Sequence, residues 1–407
     1  MMTAIPSRSA AITGVGMSHF CTQRQDEDLP GLVIEAATLA LDDAGLTMAD
    51  IDAVVLSQAP DPLHGVGHPE QTVAGALALN GRPILRVHTG GATGASAAQV
   101  GWWAVASGRF DNVLVVGAEK MGDNIHGAQQ VLNEIWDPAY EAPFPLNTIS
   151  MTSLATVRYV QEYGATVEDY ARVSQRLRDH GRRNEYAHLR IETTSAEIAA
   201  EPMLSWPITR GMACPRSSGG AAVVINSGDR ARELDAPKAW IRAMTARANT
   251  YFMGDRMGEA GLNEQHRQHE LRLAAREAYE IAGITDPRTQ IDVAEPYVPF
   301  ATMEPLMLEA LELCDDGESL KLEAEGYWHM DGGTLPVCPS GGVMCSNPIS
   351  VTALVRVAEA AQQVRGRAAG HQVPGATTAI ATGAGGDAQF FAVAIVDGRD
   401  PESEGWN

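Results

Sequence analysis

The chain alternates between short unbroken apolar runs and longer stretches whose apolar residues recur every three or four positions. Ala10–Gly16 (AAITGVG) reads as a buried strand ending in a glycine turn. Leu29–Asp43 carries its apolar residues at helical spacing, and Ala44-Gly45 supplies the stop signal. Ile51–Leu56 predicts a second strand, Glu70–Leu79 a short helix and Ile84–Val87 a third strand. A glycine-rich turn then opens a helix over about 92–107. Asn112–Gly117 (NVLVVG) is apolar without alternation, as expected of a strand covered on both faces.

One phrase occurs twice. Glu35-Ala-Ala leads to Asp43-Ala-Gly-Leu-Thr47 and Asp50-Ile-Asp-Ala-Val54; later, Arg276-Glu-Ala leads to Ala282-Gly-Ile-Thr285 and Gln290-Ile-Asp-Val-Ala294. Both spell helix, Ala-Gly-aliphatic-Thr turn, Ile-Asp and strand, with two extra residues in the second turn. A looser parallel sets Gly90-Gly91, the helix after it and the strand at Val113 beside Gly341-Gly342, a helix of about Val351–Val364 and a strand at Thr378–Ala381. Duplication of a unit that alternates strands and helices predicts an α/β protein of two similar halves. The halves are expected at 1–230 and 231–407, parting near Ser227–Pro237, where charge and proline accumulate. About 120–200, polar and poor in strand signal, is expected to be a helical insertion over the first half.

Composition adds limits. The 407 residues suffice for two core-bearing domains, and 45% hydrophobic with 20% charged residues fits a soluble globular chain. A net charge of −21 argues against nucleic acid and against an anionic membrane surface as partners. An anionic ligand would need a local basic patch. Arg172, Arg176, Arg178, Arg182, Arg183 and Arg190 supply one within twenty residues, unless they line a solvated helix with acidic neighbours. The five cysteines are odd in number and lack CxxC spacing, so neither a disulfide framework nor a zinc or other metal site is expected. No apolar run has the length of a membrane span and the first residues lack a signal-type apolar stretch, so a cytoplasmic location is expected.

The motifs, taken in order, resemble the thiolase superfamily over essentially the whole chain. Gly91-Ala-Thr-Gly-Ala-Ser-Ala97 resembles the Cys-x-Ser-Gly-x-x-Ala element that opens the buried central helix, and Ser107–Met121 resembles the strand that follows it. Ser218-Gly-Gly-Ala-Ala222 is similar to the Asp-Gly-Ala-Ala end of the first half. Glu295–Ala301 is similar to the His-Asp-Cys-Phe region of sterol-carrier-type thiolases. Leu335–Gly342 resembles the Pro-x-Asn-x-Ser-Gly-Gly element, Ser346–Ser350 the Gly-His-Pro-x-Gly motif and Thr382–Gly386 the Cys-x-Gly-Gly loop. The resemblance implies the thiolase fold, with two βαβαβ-type halves forming a five-layered αβαβα core.

It does not carry the thiolase chemistry. Gly91 stands at the nucleophile's position, Asn347 at the histidine's, Gly383 at the second cysteine's, and Cys338 at the asparagine of the Pro-x-Asn element. A glycine cannot form the acyl-enzyme that a thiolate forms. What persists is a place for an oxyanion hole, formed by Gly91 at a helix start with Gly385 and Gly386. Tyr297 stands where the sterol-carrier-type branch has a histidine, and a tyrosine can act as acid or base. The resemblance extends to superfamily aldolases that cleave branched side chains of steroid acyl-CoAs, which are expected to use tyrosine in such a role.

The expected catalytic residues are therefore Tyr297, Asn347 and His88, with coenzyme A bound by Arg182 and Arg183 as part of the substrate and no separate cofactor. The expected reaction is retro-aldol cleavage of a bulky β-hydroxyacyl-CoA. A non-thiolytic, Claisen-type acyltransferase without a conventional nucleophile and a non-catalytic acyl-CoA carrier or scaffold stand as alternatives; Cys345 is either a replacement for the lost thiol or a small buried cysteine. His329 and Asp331 form a further candidate acid/base pair. Relatives of this kind imply a homodimer and a small partner with an OB fold and a zinc ribbon.

Overall fold

The computed structural model describes residues 8–63, 65–123, 127–257 and 264–402. Strand β1 (Ala10–Met17) is buried along its whole length. Helix α1 (Leu29–Ala44) starts where the Asp28 carboxylate accepts from the backbone of Gly31 and stops at Gly45, whose φ of 69° favours a residue without Cβ. Strands β2 (Ala53–Ser57) and β3 (Ile84–Val87), helix α2 (Thr93–Ala106) and strand β4 (Asn112–Lys120) follow. The next stretch is helical, dominated by α3 (Thr148–Tyr163) and α4 (Val167–Gly181), before β5 (Ser218–Ser227). The second half repeats the order with β6 (Ala239–Ala248), α5 (His269–Ala282), β7 (Val293–Glu295), α6 (Ile349–Val364), β8 (Thr378–Gly385) and β9 (Phe390–Asp397).

The strands form one sheet in the order β3-β2-β4-β5-β1-β6-β9-β8-β7. Read outward from the centre, β1, β5, β4, β2 and β3 correspond to β6, β9, β8, β7 and a single parallel bridge, Ala294 to Val337. Within the sheet, the described strands of the two halves pair only at Ala11–Trp240 and Ile12–Ala239. Detail repeats too: α5 ends at Gly283 with the same φ of 69° as Gly45. The two Ile-Asp pairs do equivalent work. Asp52 Oδ2 accepts from the backbone N–H of Asp111 and Asn112 at the start of β4, and Asp292 Oδ2 accepts from Thr377 and Thr378 at the start of β8.

Helices α2 and α6 run between the two halves of the sheet and touch strands of both, while α1 and α5 cover the outer faces. That gives the five layers α-β-α-β-α of the thiolase fold. The middle layer is tight: a Cβ on Gly94 of α2 would lie 2.0 Å from the backbone nitrogen of Leu354 in α6. Segment 382–386, expected as a loop, is strand as far as Gly385, because residues 382–385 pair with Phe390–Val393 in a hairpin; the turn begins at Gly386.

Candidate active site

A cavity of about 680 Å³ opens where the two central helices begin. Its floor combines Gly90 and Gly91 before α2, Asn347 before α6, the end of β8 at Ala384–Gly386, and Tyr297 just past β7. Thr152 and Ala155 of α3, with Met303 and Leu306, line an apolar wall. Both helix N-termini contribute partial positive charge here.

The glycines are dictated by close approach. A Cβ on Gly385 would lie 2.3 Å from Thr89 O and 2.7 Å from Gly91 N, so two backbones pass where no side chain fits. A Cβ on Gly91 would lie 2.4 Å from Ala384 O and 2.7 Å from Tyr297 Oη. The tyrosine hydroxyl thus stands where a side chain at 91 would begin. Tyr297 is 3% exposed, and its backbone nitrogen donates to Thr382 Oγ1 at 2.9 Å. Burial pushes its phenol well above the usual value, with the nearby Cys214 adding to the effect and Arg356 opposing it. Tyr297 is therefore a proton donor at neutral pH.

Asn347 is 5% exposed and held at both ends. Its Nδ2 lies 3.1 Å from Cys214 Sγ, and its Oδ1 accepts from Thr352 Oγ1 at 2.8 Å. Cys214, which sequence reasoning did not single out, is the thiol beside this group, and burial pushes it up to about 11. It lies 133 residues from Asn347 in the chain, so no local spacing pointed to it. Cys345 is instead buried against Leu177 O at 3.3 Å, Cys338 is fully buried, and neither lines the cavity. Room for a second catalytic thiol at Gly383 is also filled: a Cβ there would lie 3.0 Å from Ala95 Cβ and 3.1 Å from Ala353 Cβ.

His88 lines the cavity from an exposed position, its pKa lowered by desolvation against the wall and by Arg86. Asp387, two residues past Gly385, also lines the cavity and was not foreseen. Gly386, Asp387 and Ala388 all have positive φ (59°, 52° and 63°), a turn that aims the carboxylate inward at a cost in backbone strain. Asp387 Oδ2 accepts from Gln265 Nε2 at 3.1 Å and lies 3.9 Å from Arg256, while burial pushes its carboxyl up to about 6.

Arg182 and Arg183 do not line the cavity. Arg182 pairs with Glu192 at 3.1 Å, and Arg183 donates to Asp331 at 2.9 Å. Only Arg172, Arg176 and Arg178 of the arginine run lie on α4, where they face different ways: Arg176 is buried between Glu304 and Glu323, and of the run only Arg178 reaches the cavity wall. Asp331 is thereby tied to a surface arginine and, like His329, does not line the cavity. At the mouth stands Arg216, exposed and without an ion pair among the described residues.

Residues 9–187 match the family model for the thiolase N-terminal domain, and residues 263–397 match the one for thiolase C-terminal domain-like sequences. The chain is 28% identical to the acetyl-CoA acetyltransferase of Methanothermobacter thermautotrophicus, over 95% of this chain and 99% of that one. It is 27% identical to human sterol carrier protein 2, over 92% of this chain and 69% of that one. Among solved structures, the Ltp2-ChsH2(DUF35) aldolase superposes with a TM-score of 0.82 at 25% identity, covering 97% of this chain and 100% of that one.

Proposed function

This chain belongs to the thiolase superfamily, in its sterol-carrier-like branch, and on that footing we propose that it is a carbon–carbon lyase that cleaves a β-hydroxyacyl-CoA by retro-aldol chemistry. The observation that carries the reading is the Tyr297 hydroxyl standing in the space of the missing side chain at Gly91. An acid there replaces a nucleophile, and retro-aldol cleavage needs an acid but no acyl-enzyme.

The steps balance without a redox partner. Asp387, ionised above about pH 6, takes the β-hydroxyl proton. The Cβ–O bond becomes a carbonyl, the Cα–Cβ electron pair moves into the thioester as an enolate, and the ketone or aldehyde departs. Backbone amides around Gly91 and Gly385–Gly386, with the two helix N-termini, stabilise the enolate oxygen. Tyr297 gives its proton to Cα, releasing a shorter acyl-CoA, and the proton held by Asp387 restores the phenol through solvent. Asn347 orients the thioester, His88 borders the departing carbonyl, and Arg216 meets the coenzyme A phosphates at the mouth.

The solved aldolase carries a DUF35 partner in its name, and we assign this chain a partner of that kind, together with a second copy of itself along the β3 edge, where Leu85 is 60% exposed. One observation favours an acyltransferase instead: Cys214 puts a thiol in the cavity. At about 11 its pKa leaves little thiolate at neutral pH, which weakens that reading.

The test is mass spectrometry of products and protein after incubation with β-hydroxyacyl-CoAs, with and without a DUF35-type partner. A ketone or aldehyde plus a shortened acyl-CoA, with unmodified protein, is the expected result. An acyl adduct on Cys214 would overturn the lyase in favour of the acyltransferase.

A further inference from the structure

Six arginines are buried among the described residues: Arg176, Arg178, Arg242, Arg256, Arg356 and Arg365. Five of them stand within 3.9 Å of a carboxylate, on Glu304 and Glu323, Asp397, Asp387, Glu295 and Asp43 respectively. Arg178, 4% exposed on α4, has no ion pair among the described residues, and it alone of the six lines the cavity. Its Nη1 donates to Met344 O at 2.9 Å, and its Nη2 reaches Gly211 O and Ala213 O at 3.4 Å each. These neutral acceptors hold the group in place and leave its charge unanswered. The Nε–H donates to nothing among the described residues; unlike the Nε atoms of Arg256 and Arg356, it is not sealed in the interior.

A buried cation without a counter-charge is costly, and a guanidinium cannot escape the cost by losing a proton. Nothing nearby relieves it. The cavity's own carboxylates are engaged elsewhere, Glu201 by Arg210 at 2.7 Å and Asp387 by Gln265 at 3.1 Å. The titratable neighbours that feel Arg178 are uncharged at neutral pH: burial lowers His188, with Arg178 adding to the effect, and pushes Cys214 and Cys345 up to about 11. We propose that Arg178 is a carboxylate-binding site, so that the substrate is a coenzyme A monothioester of a dicarboxylic acid, with the free carboxylate on the acyl group. The acyl group is the part of the ligand within reach. Arg178 donates to Ala213 O, and the next residue, Cys214, meets Asn347 on the cavity floor at 3.1 Å. The coenzyme A phosphates carry negative oxygen too, but Arg216 awaits them at the mouth.

The inference rests on the cavity being an acyl-CoA site but not on which reaction follows, so binding tests it apart from turnover. Titration calorimetry would compare succinyl-, glutaryl- and adipyl-CoA with butanoyl-, pentanoyl- and hexanoyl-CoA, their methyl-ended equivalents of equal chain length, and with free coenzyme A. The wild type is expected to bind at least one carboxylated ligand about tenfold tighter than its methyl-ended equivalent, the worth of a charge-assisted hydrogen bond. That ratio should survive high salt, because a buried pair is screened little. Arg178→Met should erase the ratio and leave the affinity for free coenzyme A unchanged, while Arg178→Lys should keep part of it. Arg216→Gln tests the same point without touching the core: it should weaken every ligand alike, free coenzyme A included, and preserve the ratio. Equal affinities within every pair, a ratio that vanishes at high salt or with Arg216→Gln, or an equal loss for all ligands in Arg178→Met overturns the carboxylate site and leaves the lyase standing. Failure of the folded wild type to bind any acyl-CoA overturns the acyl-CoA reading and this site with it.

Discussion

The two central helices start at the same cavity but are built differently. Helix α2 begins after Gly90-Gly91, where no side chain is present and Thr93 Oγ1 donates to Gly90 O at 2.6 Å. Helix α6 begins after Asn347-Pro348 and keeps a polar side chain locked between Cys214 and Thr352. The bare start is not empty space, because Tyr297 from the second half reaches across and places its hydroxyl there. One half thus supplies the gap and the other supplies the acid. A duplicated fold can keep its frame symmetric while the chemistry depends on how its two copies differ.

The frame can be broken most severely at the crossing of α2 and α6. Gly94→Ala sets a methyl group 2.0 Å from a backbone nitrogen, which cannot yield as a side-chain tip would. We expect a loss of about 3 kcal/mol or more, seen as insoluble protein or a collapsed thermal transition. A wild-type melting profile would contradict the close approach of the two halves. The chemistry can be broken without the frame by Tyr297→Phe. It should lower kcat by roughly 10²–10⁴-fold, the usual worth of a positioned proton donor, with KM and melting temperature little changed. Gly91→Ala, whose methyl group would meet the backbone oxygen of Ala384 as well as the same hydroxyl, should lower both kcat and the melting temperature.

How far the sequence foretold this differs between frame and site. The repeated Ile-Asp phrase, the glycine stops at 45 and 283 and the paired glycine turns all encode local geometry, and local geometry is what spacing reports. Tyr297 and Asn347 were legible because each stands inside a recognisable motif, and His88 because it directly precedes the glycine turn; all three line the cavity. Cys214, Gln265 and Asp387 were not found, because each gains meaning only from a contact across the fold: Gln265 reaches a carboxylate 122 residues away. The arginine run misled for a related reason. Only three of the six lie on the helix, where they point around the axis, and Arg176 serves the core rather than a ligand.

Equivalent strands of the two halves each end near a buried acid, which gives a pH test of the comparison. Burial pushes Glu119 at the end of β4 up to about 7, and Asp387 just past β8 up to about 6. A carboxyl whose folded value lies above its unfolded one favours folding most below the unfolded value, near pH 4, and that stability is lost as pH rises through the folded value. Each acid should therefore cost the wild type up to about 3 kcal/mol between pH 4 and 8. Glu119→Gln and Asp387→Asn should each flatten the fall, measured by denaturant titration across that range. The difference between the halves should appear on adding acyl-CoA: only the Asp387 contribution should change, since Glu119 does not line the cavity. A ligand effect on both, or on neither, would break the assignment of Asp387 to the site.

The smallest expected effect is the sharpest test of symmetry. Asp52 and Asp292 each clamp two backbone N–H groups where the next strand of their half begins, at distances of 2.8 to 2.9 Å. Both sit at intermediate exposure, so the N–H groups released by an alanine would be partly reached by water. Asp52→Ala and Asp292→Ala should each cost about 1–2 kcal/mol, toward the low side of what unsatisfied donors incur. Asp292 also accepts from Thr377 Oγ1 at 2.8 Å, a bond with no counterpart at Asp52 among the described residues, and should cost slightly more. Because the two sites lie in different halves and share no partner, the double variant should show the sum of the single losses. Near-equal single losses that add would mark two copies of one structural device. A large excess at either site would mean that its half leans on the clamp in a way the other does not, and the equivalence of the two Ile-Asp phrases would then hold for geometry but not for energy.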